Sequence, residues 1–333
     1  MLSIVINKWG AIPDTLHGVI YYRELNLDRA SELRKSSIWV EQQWTRQHCR
    51  VFILRNNKNL MRWPGRVAKN PETIHFHRSE ITVLVDSPEQ LVFLGLDQSG
   101  PLFALDVSSH DDDLLQPYIE ENEFIDIRDL GCLLDAQQAA QLAYARGLVF
   151  WNRHNRFCGS CGGPAISQDG GHSRRCINEA CARIQFPRTD PAVIMLVEDR
   201  SNPKKPRCLL ARNSRFPSRM MSTLAGFVDP LESLEETVAR EVLEECGIEV
   251  EQICYQASQP WPFPSSIMLG FRARAKTFEI RVDGEEIEEA YWFEPEQLRS
   301  FGEWGDGGDN FSLPRRDSIA RYLVESWLDE VSN

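Results

Sequence analysis

Apolar and polar positions follow two rhythms along this chain. Leu234, Val238, Val242 and Leu243 recur at helical spacing with charged residues between them. That stripe predicts an amphipathic helix. Ser233, followed three residues later by Glu236, supplies the capping-box pattern at its start. Gly247 stands where a left-handed cap is wanted, and Ile248 and Val250 open a strand beyond it. A second helical pattern runs from Ala136 to about His154, and a closing one from Ser318 to Val331. Short β-rich runs predict strands over Val51–Leu54, Ile81–Val85 and Leu91–Leu94 in the first third. Further runs over Val193–Val197, Cys208–Ala211 and Ile267–Ala273 predict strands later in the chain. Asp111, Asp112 and Asp113 read as a polar loop, and Ser201 to Pro206 as a loop between two strands.

The polar face of the 234–246 helix carries the chemistry. Glu241 and Glu245 are four apart, and Glu241 and Glu244 three apart, so their carboxylates project side by side. Clustered like charges destabilise a helix, and a hard divalent cation resolves the conflict. Gly226 before the helix predicts a turn where the backbone comes close to something. From Gly226 to Ile248 the chain reads G-x5-E-x7-R-E-x2-E-E-x-G-x, an apolar residue closing the string. An ordinary solvated helix accounts for two acids at this spacing, but not for the whole string.

The string resembles the Nudix hydrolase box at every defining position, with Leu231 standing where many members carry glycine. The resemblance implies metal-assisted cleavage of a nucleoside diphosphate linked to another group. It implies Glu241 and Glu245 as central ligands of Mg²⁺ or Mn²⁺, and Glu244 as an accessory ligand or an aid to the attacking water. It adds the Ala225 carbonyl as a backbone ligand and gives Glu232 and Arg240 a bracing salt bridge.

Ser258 to Ser266 reads SQPWPFPSS. Three prolines in five residues exclude a helix interior or a central strand and make a stiff, extended segment. Taken alone, a Pro-aromatic loop seals the edge of a core. Beside a Nudix box it resembles the motif of the NAD(H) pyrophosphatase branch, the NudC-like group. There the loop forms part of the dinucleotide pocket, which carries over to Gln259, Pro260, Trp261, Pro262, Phe263, Pro264, Ser265 and Ser266. Trp261 and Phe263 offer faces for flat rings, and Gln259 an amide for a polar edge.

Cys158 and Cys161 form a C-x2-C pair, Cys176 and Cys181 a C-x4-C pair, with fourteen residues between. The spacing is that of a zinc ribbon, in which four thiolates close a tetrahedron and leave no open position for catalysis. Gly159, Gly162 and Gly163 allow the tight turns. Two disulfides are the competing explanation, disfavoured because no signal peptide is visible and the other cysteines are scattered. NudC-like proteins carry such a ribbon just before the catalytic domain. The same resemblance implies Glu286, in the run EEIEEAYWF, as a late metal ligand. It also implies Phe186 and Ala320 as parts of the substrate pocket, Phe186 standing where many members have tyrosine.

Composition sets bounds. The 333 residues accommodate two domains and a small module, and 42% are hydrophobic. No apolar run is long enough to span a membrane, and Val331-Ser332-Asn333 is no peroxisomal signal. Nine cysteines without a secretion signal suggest a reducing, cytoplasmic setting. The net charge of -12 argues against broad nucleic-acid binding but leaves room for a short reach to an RNA end.

The expected fold is therefore α+β: a Nudix α/β/α sandwich with a mixed sheet, preceded by a zinc ribbon and a degenerate N-terminal α+β domain. The expected divisions are 1–135, 136–185 (linker helix and ribbon) and 186–333. The expected activity is hydrolysis of NADH and NAD⁺ to nicotinamide mononucleotide and AMP, extending to NAD caps on RNA 5′ ends. Its expected cofactors are Mg²⁺ or Mn²⁺ and one structural zinc, in a homodimer with no membrane partner. Hydrolysis of ADP-ribose or a diadenosine polyphosphate is the alternative within the family. A non-catalytic nucleotide-binding regulator is the alternative of another class, opposed by the intact Glu241, Glu244 and Glu245.

Overall fold

A computed structural model describes residues 20–332 apart from 24, 64–69, 131–132 and 304–309. Packing divides the described chain into two units.

One unit holds residues 21–192 together with 258–268. It begins with helix α1 (Ser37–Trp44), strands β1 (Arg50–Arg55), β2 (Lys58–Arg62), β3 (Glu72–Thr73) and β4 (Phe76–His77), and the one-turn helix α2 (Arg78–Ile81). Strands β5 (Leu91–Asp97) and β6 (Gly100–Asp106), helix α3 (Asp112–Ile119), strand β7 (Glu123–Ile125) and helix α4 (Ile127–Leu130) follow. The strands form one sheet in the order β3-β2-β1-β6-β5, with β4 against β1 and β7 against β2. β1 and β6 are parallel and β5 and β6 antiparallel, so the sheet is mixed.

Both faces of this sheet are covered, which is why β1 is apolar without alternation. Phe52 and Leu54 share a core with Leu142, Ala143 and Val149 of the long helix α5 (Ala136–His154). Val51 and Ile53 pack on the other face with Phe103, Trp39 and Trp44. Asp135 caps α5 by accepting from the backbone N–H groups of Gln137 and Gln138 at 3.0 and 2.9 Å. After α5 come the ribbon strands β8 (Ala165–Gln168), β9 (Ser173–Cys176) and β10 (Ile184–Gln185), ordered β10-β9-β8.

Two expectations fail here. Ile81–Val85 is not a strand: α2 ends at Ile81 and a 3₁₀ turn covers Thr82–Leu84. Ile81 and Leu84, three apart, are fully buried while Val83 is 66% exposed, so the packing follows a helical period. Glu80 reaches back to the His77 N–H at 2.6 Å and starts the turn. Asp111–Asp113 is not a loop but the start of α3, Asp111 standing at the N-cap. Acids there meet the positive end of the helix dipole.

The other unit holds 193–257 and 269–333. Its sheet is built from β11 (Asp190–Asp199), β12 (Arg207–Asn213), β13 (Leu224–Phe227), β14 (Val250–Trp261), β15 (Ser266–Ala275) and β16 (Ile287–Phe293). The order is β14-β15-β11-β12-β16, with β13 paired to β11. Helix α6 (Leu234–Cys246) lies between β13 and β14, and α7 (Pro295–Arg299) and α8 (Ile319–Ser332) close the chain. Val238, Val242 and Cys246 of α6 share a core with Met195, Val197, Leu209 and Ala211. Leu243, expected in that stripe, is 51% exposed. Gly270 of β15 lies against Ile319 of α8, whose Cδ1 would stand 2.9 Å from an added β-carbon. Cys208 to Ala211 are buried in succession, as in a strand covered on both sides. The result is the α/β/α sandwich that the box implies.

Candidate functional site

Helix α6 begins and ends as its sequence predicts. Ser233 and Glu236 exchange backbone bonds at 3.2 and 2.8 Å, and Gly247 closes the helix at φ +69°. The helix fixes the angular positions of Arg240, Glu241, Glu244 and Glu245. Arg240 grips Glu232 with two bonds, Nε to Oε1 at 2.6 Å and Nη2 to Oε2 at 2.9 Å. Nη2 also donates to the Phe227 carbonyl at 3.0 Å, tying the loop to the helix. That bond pair, with burial opposing it, brings the Glu232 carboxyl down to about 2. Arg240 also donates to Glu241 and Glu244, each at 3.0 Å.

Glu245 is a carboxylate that the protein leaves unmatched. It is 5% exposed, and its Oε2 has no hydrogen-bond donor among the described residues. Burial, then the charges of Glu241, Glu286, Asp283 and Glu244, push its carboxyl up to about 8. Burial also raises Glu241 above the usual carboxylate range, with Arg240 opposing. Gly226 makes room for this cluster, since a β-carbon there would stand 1.9 Å from the Glu241 carboxyl carbon. The close approach expected at Gly226 is thus to Glu241. Ala225 lies one residue earlier in β13.

Glu286 lies before β16, its carbonyl accepting from the Ser214 N–H at 3.1 Å. Asp283 escaped the sequence reading. Its carboxylate accepts from the N–H groups of Glu286 and Ile287 at 3.2 and 2.9 Å, and its charge reaches Glu245. An Asp-Gly turn was its only local signal, and nothing in its spacing ties it to α6. A buried carboxylate with an unpaired oxygen, surrounded by four more acids, suits a divalent cation.

In the ribbon the ligand sulfurs of Cys158, Cys161, Cys176 and Cys181 lie within 4.8 Å of one another. Cys158 and Cys181 Sγ are 3.8 Å apart, and Cys161 and Cys176 Sγ 3.4 Å. Sulfurs at ~2.3 Å from one tetrahedral zinc stand about 3.8 Å apart, so the donor set fits a structural zinc. Gly162, at φ +72°, turns the first knuckle, its N–H bonded to the Cys158 carbonyl at 2.8 Å. Among the described residues this is the one such close-set group of His, Cys, Asp or Glu.

The SQPWPFPSS segment is the tip of the β14–β15 hairpin, and it packs with residues 21–192. Pro260 is tolerated because β14 is an edge strand. Gln259 is fully buried, and its Nε2 donates to the Tyr21 carbonyl at 3.1 Å, so the chain itself engages that amide. Tyr22 meets Trp261 and Phe263 edge-on at 6.1 and 5.7 Å between ring centres. The Arg146 guanidinium lies 4.6 Å from the Phe263 ring centre and donates to the Pro262 carbonyl. Ser265 bonds Asp190 twice, through its carbonyl at 2.9 Å and its hydroxyl at 3.2 Å. Pro260, Trp261, Pro262, Pro264, Ser265 and Ser266 border a cavity of about 590 Å³ within this unit. Phe186 stands 59% exposed after β10 of the ribbon, and Ala320 is buried in α8.

Three family models match the chain in succession. The NADH pyrophosphatase-like rudimentary NUDIX domain covers 48–151, the NADH pyrophosphatase zinc ribbon domain 153–186, and the NUDIX domain 188–311. The chain is 34% identical to the human NAD-capped RNA hydrolase NUDT12, over 92% of this chain and 73% of that one. It is 37% identical to the NAD-capped RNA hydrolase NudC of Mycobacterium tuberculosis, over 72% and 76% respectively. It is 46% identical to the chloroplastic Nudix hydrolase 19 of Arabidopsis thaliana, over 53% of this chain and 42% of that one. A Nudix hydrolase structure from Nitrosomonas europaea superposes with TM-score 0.38 at 25% identity, over 53% of this chain and 91% of that one. With the carboxylate helix, the four-thiolate ribbon and these relatives together, the chain belongs to the NudC-like, NADH pyrophosphatase branch of the Nudix hydrolases.

Proposed function

We propose that this enzyme hydrolyses the pyrophosphate of NADH and NAD⁺ to nicotinamide mononucleotide and AMP, and removes NAD caps from RNA 5′ ends. The observation that carries the reading is Glu245, buried with one oxygen unpaired among Glu241, Glu286 and Asp283. Such a group calls for a cation in a chain whose relatives act on NAD-capped RNA. Glu241, Glu245, Glu286 and the Ala225 carbonyl would hold Mg²⁺ or Mn²⁺, and Glu244 would assist. When bound, the metal supplies charge neutralisation for the diphosphate and an acidified water. The chain's own part is to set the carboxylates on α6, brace them through Arg240 and Glu232, and hold the tip Gln259–Ser266 rigid.

The tip's rings support a dinucleotide site, with Phe186 and Ala320 as further pocket residues. Domains at 1–135, 136–185 and 186–333, a homodimer and a cytoplasmic setting complete the reading. Among the described residues no helix is long and apolar enough to cross a membrane.

The test is hydrolysis of NADH, NAD⁺, ADP-ribose and an NAD-capped oligoribonucleotide side by side with Mg²⁺ and Mn²⁺. Preference for ADP-ribose would move the enzyme out of this branch, and no turnover of any substrate would make it a nucleotide-binding regulator. Trp261→Ala checks the pocket separately: loss of one stacking partner should raise KM for NADH by roughly five- to hundredfold. An equal rise for ADP-ribose would leave Trp261 a purely structural residue.

A further inference from the structure

Where the ribbon meets the sheet that precedes it lies a second cavity, of about 180 Å³. It shares no described lining residue with the one at the hairpin tip, and its walls all belong to the unit of residues 21–192. Arg153 and Arg156 line it from the end of α5, Arg174 from β9, and Ser87, Ser108 and Ser109 from the loops before β5 and after β6. Glu89 and Asp106 also border it, so three guanidiniums face two carboxylates. That is a local excess of positive charge in a chain whose net charge is -12.

The bonds separate the groups that the fold uses from those it leaves over. Arg174, 3% exposed, is taken up by structure. Its Nη2 donates to Glu89 Oε2 at 3.0 Å, its Nε to the Ala165 carbonyl at 3.1 Å and its Nη1 to Asn152 Oδ1 at 3.3 Å. Asp106 accepts from the N–H of Ser108 at 3.0 Å and from its hydroxyl. Arg153 has only neutral acceptors, Ser108 Oγ at 2.7 Å and Asn57 Oδ1 at 2.5 Å, which occupy two of its five N–H groups. The Arg156 guanidinium has no hydrogen-bond or ion-pair partner among the described residues. Ser87 Oγ accepts from the Glu89 N–H at 3.2 Å, which leaves its hydroxyl hydrogen to give. The Ser109 hydroxyl has no partner among the described residues either.

A basic side chain at a helix C-terminus answers the helix dipole, and that explains Arg153 or Arg156 taken singly. It does not explain why both line one cavity with a third guanidinium and two hydroxyls that have a hydrogen to give. Such walls present donors and little else. Guanidinium forks take the oxygens of a phosphate in pairs, and hydroxyls take those that remain. The volume accepts a phosphate group but not a dinucleotide, because pockets for drug-sized ligands run to about 300–1,000 Å³.

We propose that this cavity binds a phosphate dianion, held by Arg153 and Arg156 with the hydroxyls of Ser87 and Ser109. The bound group would tie the end of α5 to the loops that flank β5 and β6. Its source is free inorganic phosphate or the phosphate end of a small phosphomonoester, such as the AMP that the proposed reaction releases.

The experiment titrates inorganic phosphate into the full chain by calorimetry, without added Mg²⁺ or Mn²⁺ and with ionic strength held constant by chloride. Wild type should bind phosphate at this site, and Kd should rise about tenfold or more in Arg153→Gln and in Arg156→Gln. Arg29→Gln, on the wall of the hairpin-tip cavity, should bind as wild type does. Phosphate should raise the melting temperature of wild type and of Arg29→Gln but not of the other two variants. Without phosphate, Arg156→Gln should melt no lower than wild type, since its guanidinium has no partner to lose. AMP that displaces the phosphate identifies a phosphomonoester site, and phosphate that AMP leaves in place identifies the free ion as the ligand. No binding of millimolar phosphate by wild type overturns the inference. So does binding that Arg29→Gln weakens and the other two variants leave intact, or binding that is equal in all four proteins. If Arg153→Gln does not fold, Arg156→Gln decides alone. No turnover is measured, so the outcome is independent of whether the enzyme acts on NADH.

Discussion

Gly226 and Glu241 share one space: a β-carbon on the glycine would fall 1.9 Å from the carboxyl carbon of the glutamate. Gly226→Ala should therefore displace the Glu241 carboxylate while leaving the sheet in place, because the flexible end of a side chain is what must move. The expected result is a loss of about a hundredfold in kcat. Stability should change by no more than about 1 kcal/mol. Steady-state kinetics and thermal melts on the same preparation check both halves.

Glu245→Gln separates catalysis from folding. It replaces a buried carboxyl whose Oε2 is unpaired and whose acidic neighbours oppose its ionisation. Turnover should fall at least about a hundredfold, since a ligand for the metal is lost. The melting temperature without divalent metal should hold or rise. Wild-type turnover at saturating Mg²⁺ would remove Glu245 from the metal site.

The ribbon should hold one zinc per chain, measurable by elemental analysis. Cys161→Ser takes one thiolate from the set that lies within 4.8 Å. Zinc content and melting temperature should both drop, because metal binding in such a site is folding free energy. Protein that is zinc-free but fully stable would contradict the structural role.

Arg146 is 4% exposed, and it spans Asp126 at 3.5 Å, the Asn57 carbonyl at 3.0 Å and the Phe263 ring. Arg146→Met keeps most of the apolar stem but leaves Asp126 short of a partner. A loss of about 2–4 kcal/mol is expected, from the broken ion pair and the lost cation–π contact. Arg146→Lys should recover part of it. Denaturant melts of the two variants give the answer.

The pH dependence of stability should show Glu303. Hydrogen bonds from Arg321, with burial opposing and Arg316 adding, bring its carboxyl down to about 2. The folded state binds its proton more weakly than the unfolded state, whose value is near 4.5. Glu303 therefore adds stability that is fully present above about pH 4.5 and is lost as pH falls toward 2. Its side chain is 38% exposed, so salt should weaken the effect. Glu303→Gln should flatten the stability curve between those pH values relative to wild type.

Much of the site was legible because its chemistry is written in short strings. Arg240, Glu241, Glu244 and Glu245 sit on one helix, whose period sets their directions whatever surrounds it. The ribbon is similar, since two short knuckles carry all four cysteines. Gly226 announced a close approach, but its partner Glu241 is fifteen positions away, and only the fold brings the two together. Asp283 had no such string, and its charge matters only because β16 returns beside α6.

The sequence by itself determined the boundaries of α5 and α6, the thiolate set and the carboxylate ladder, because caps, helical periods and ligand spacings act over a few residues. The tertiary structure decided what those features face. It turned Ile81–Val85 into helical turns, because burial of Ile81 and Leu84 outweighed the β-propensity of the run. It buried Gln259 against the Tyr21 carbonyl and set Phe263 under Arg146, partners more than a hundred residues away. It brought Arg153, Arg156 and Arg174 around one cavity with Ser87 and Ser109. Such pairings depend on which surfaces exclude water together, and no local spacing along the chain encodes that.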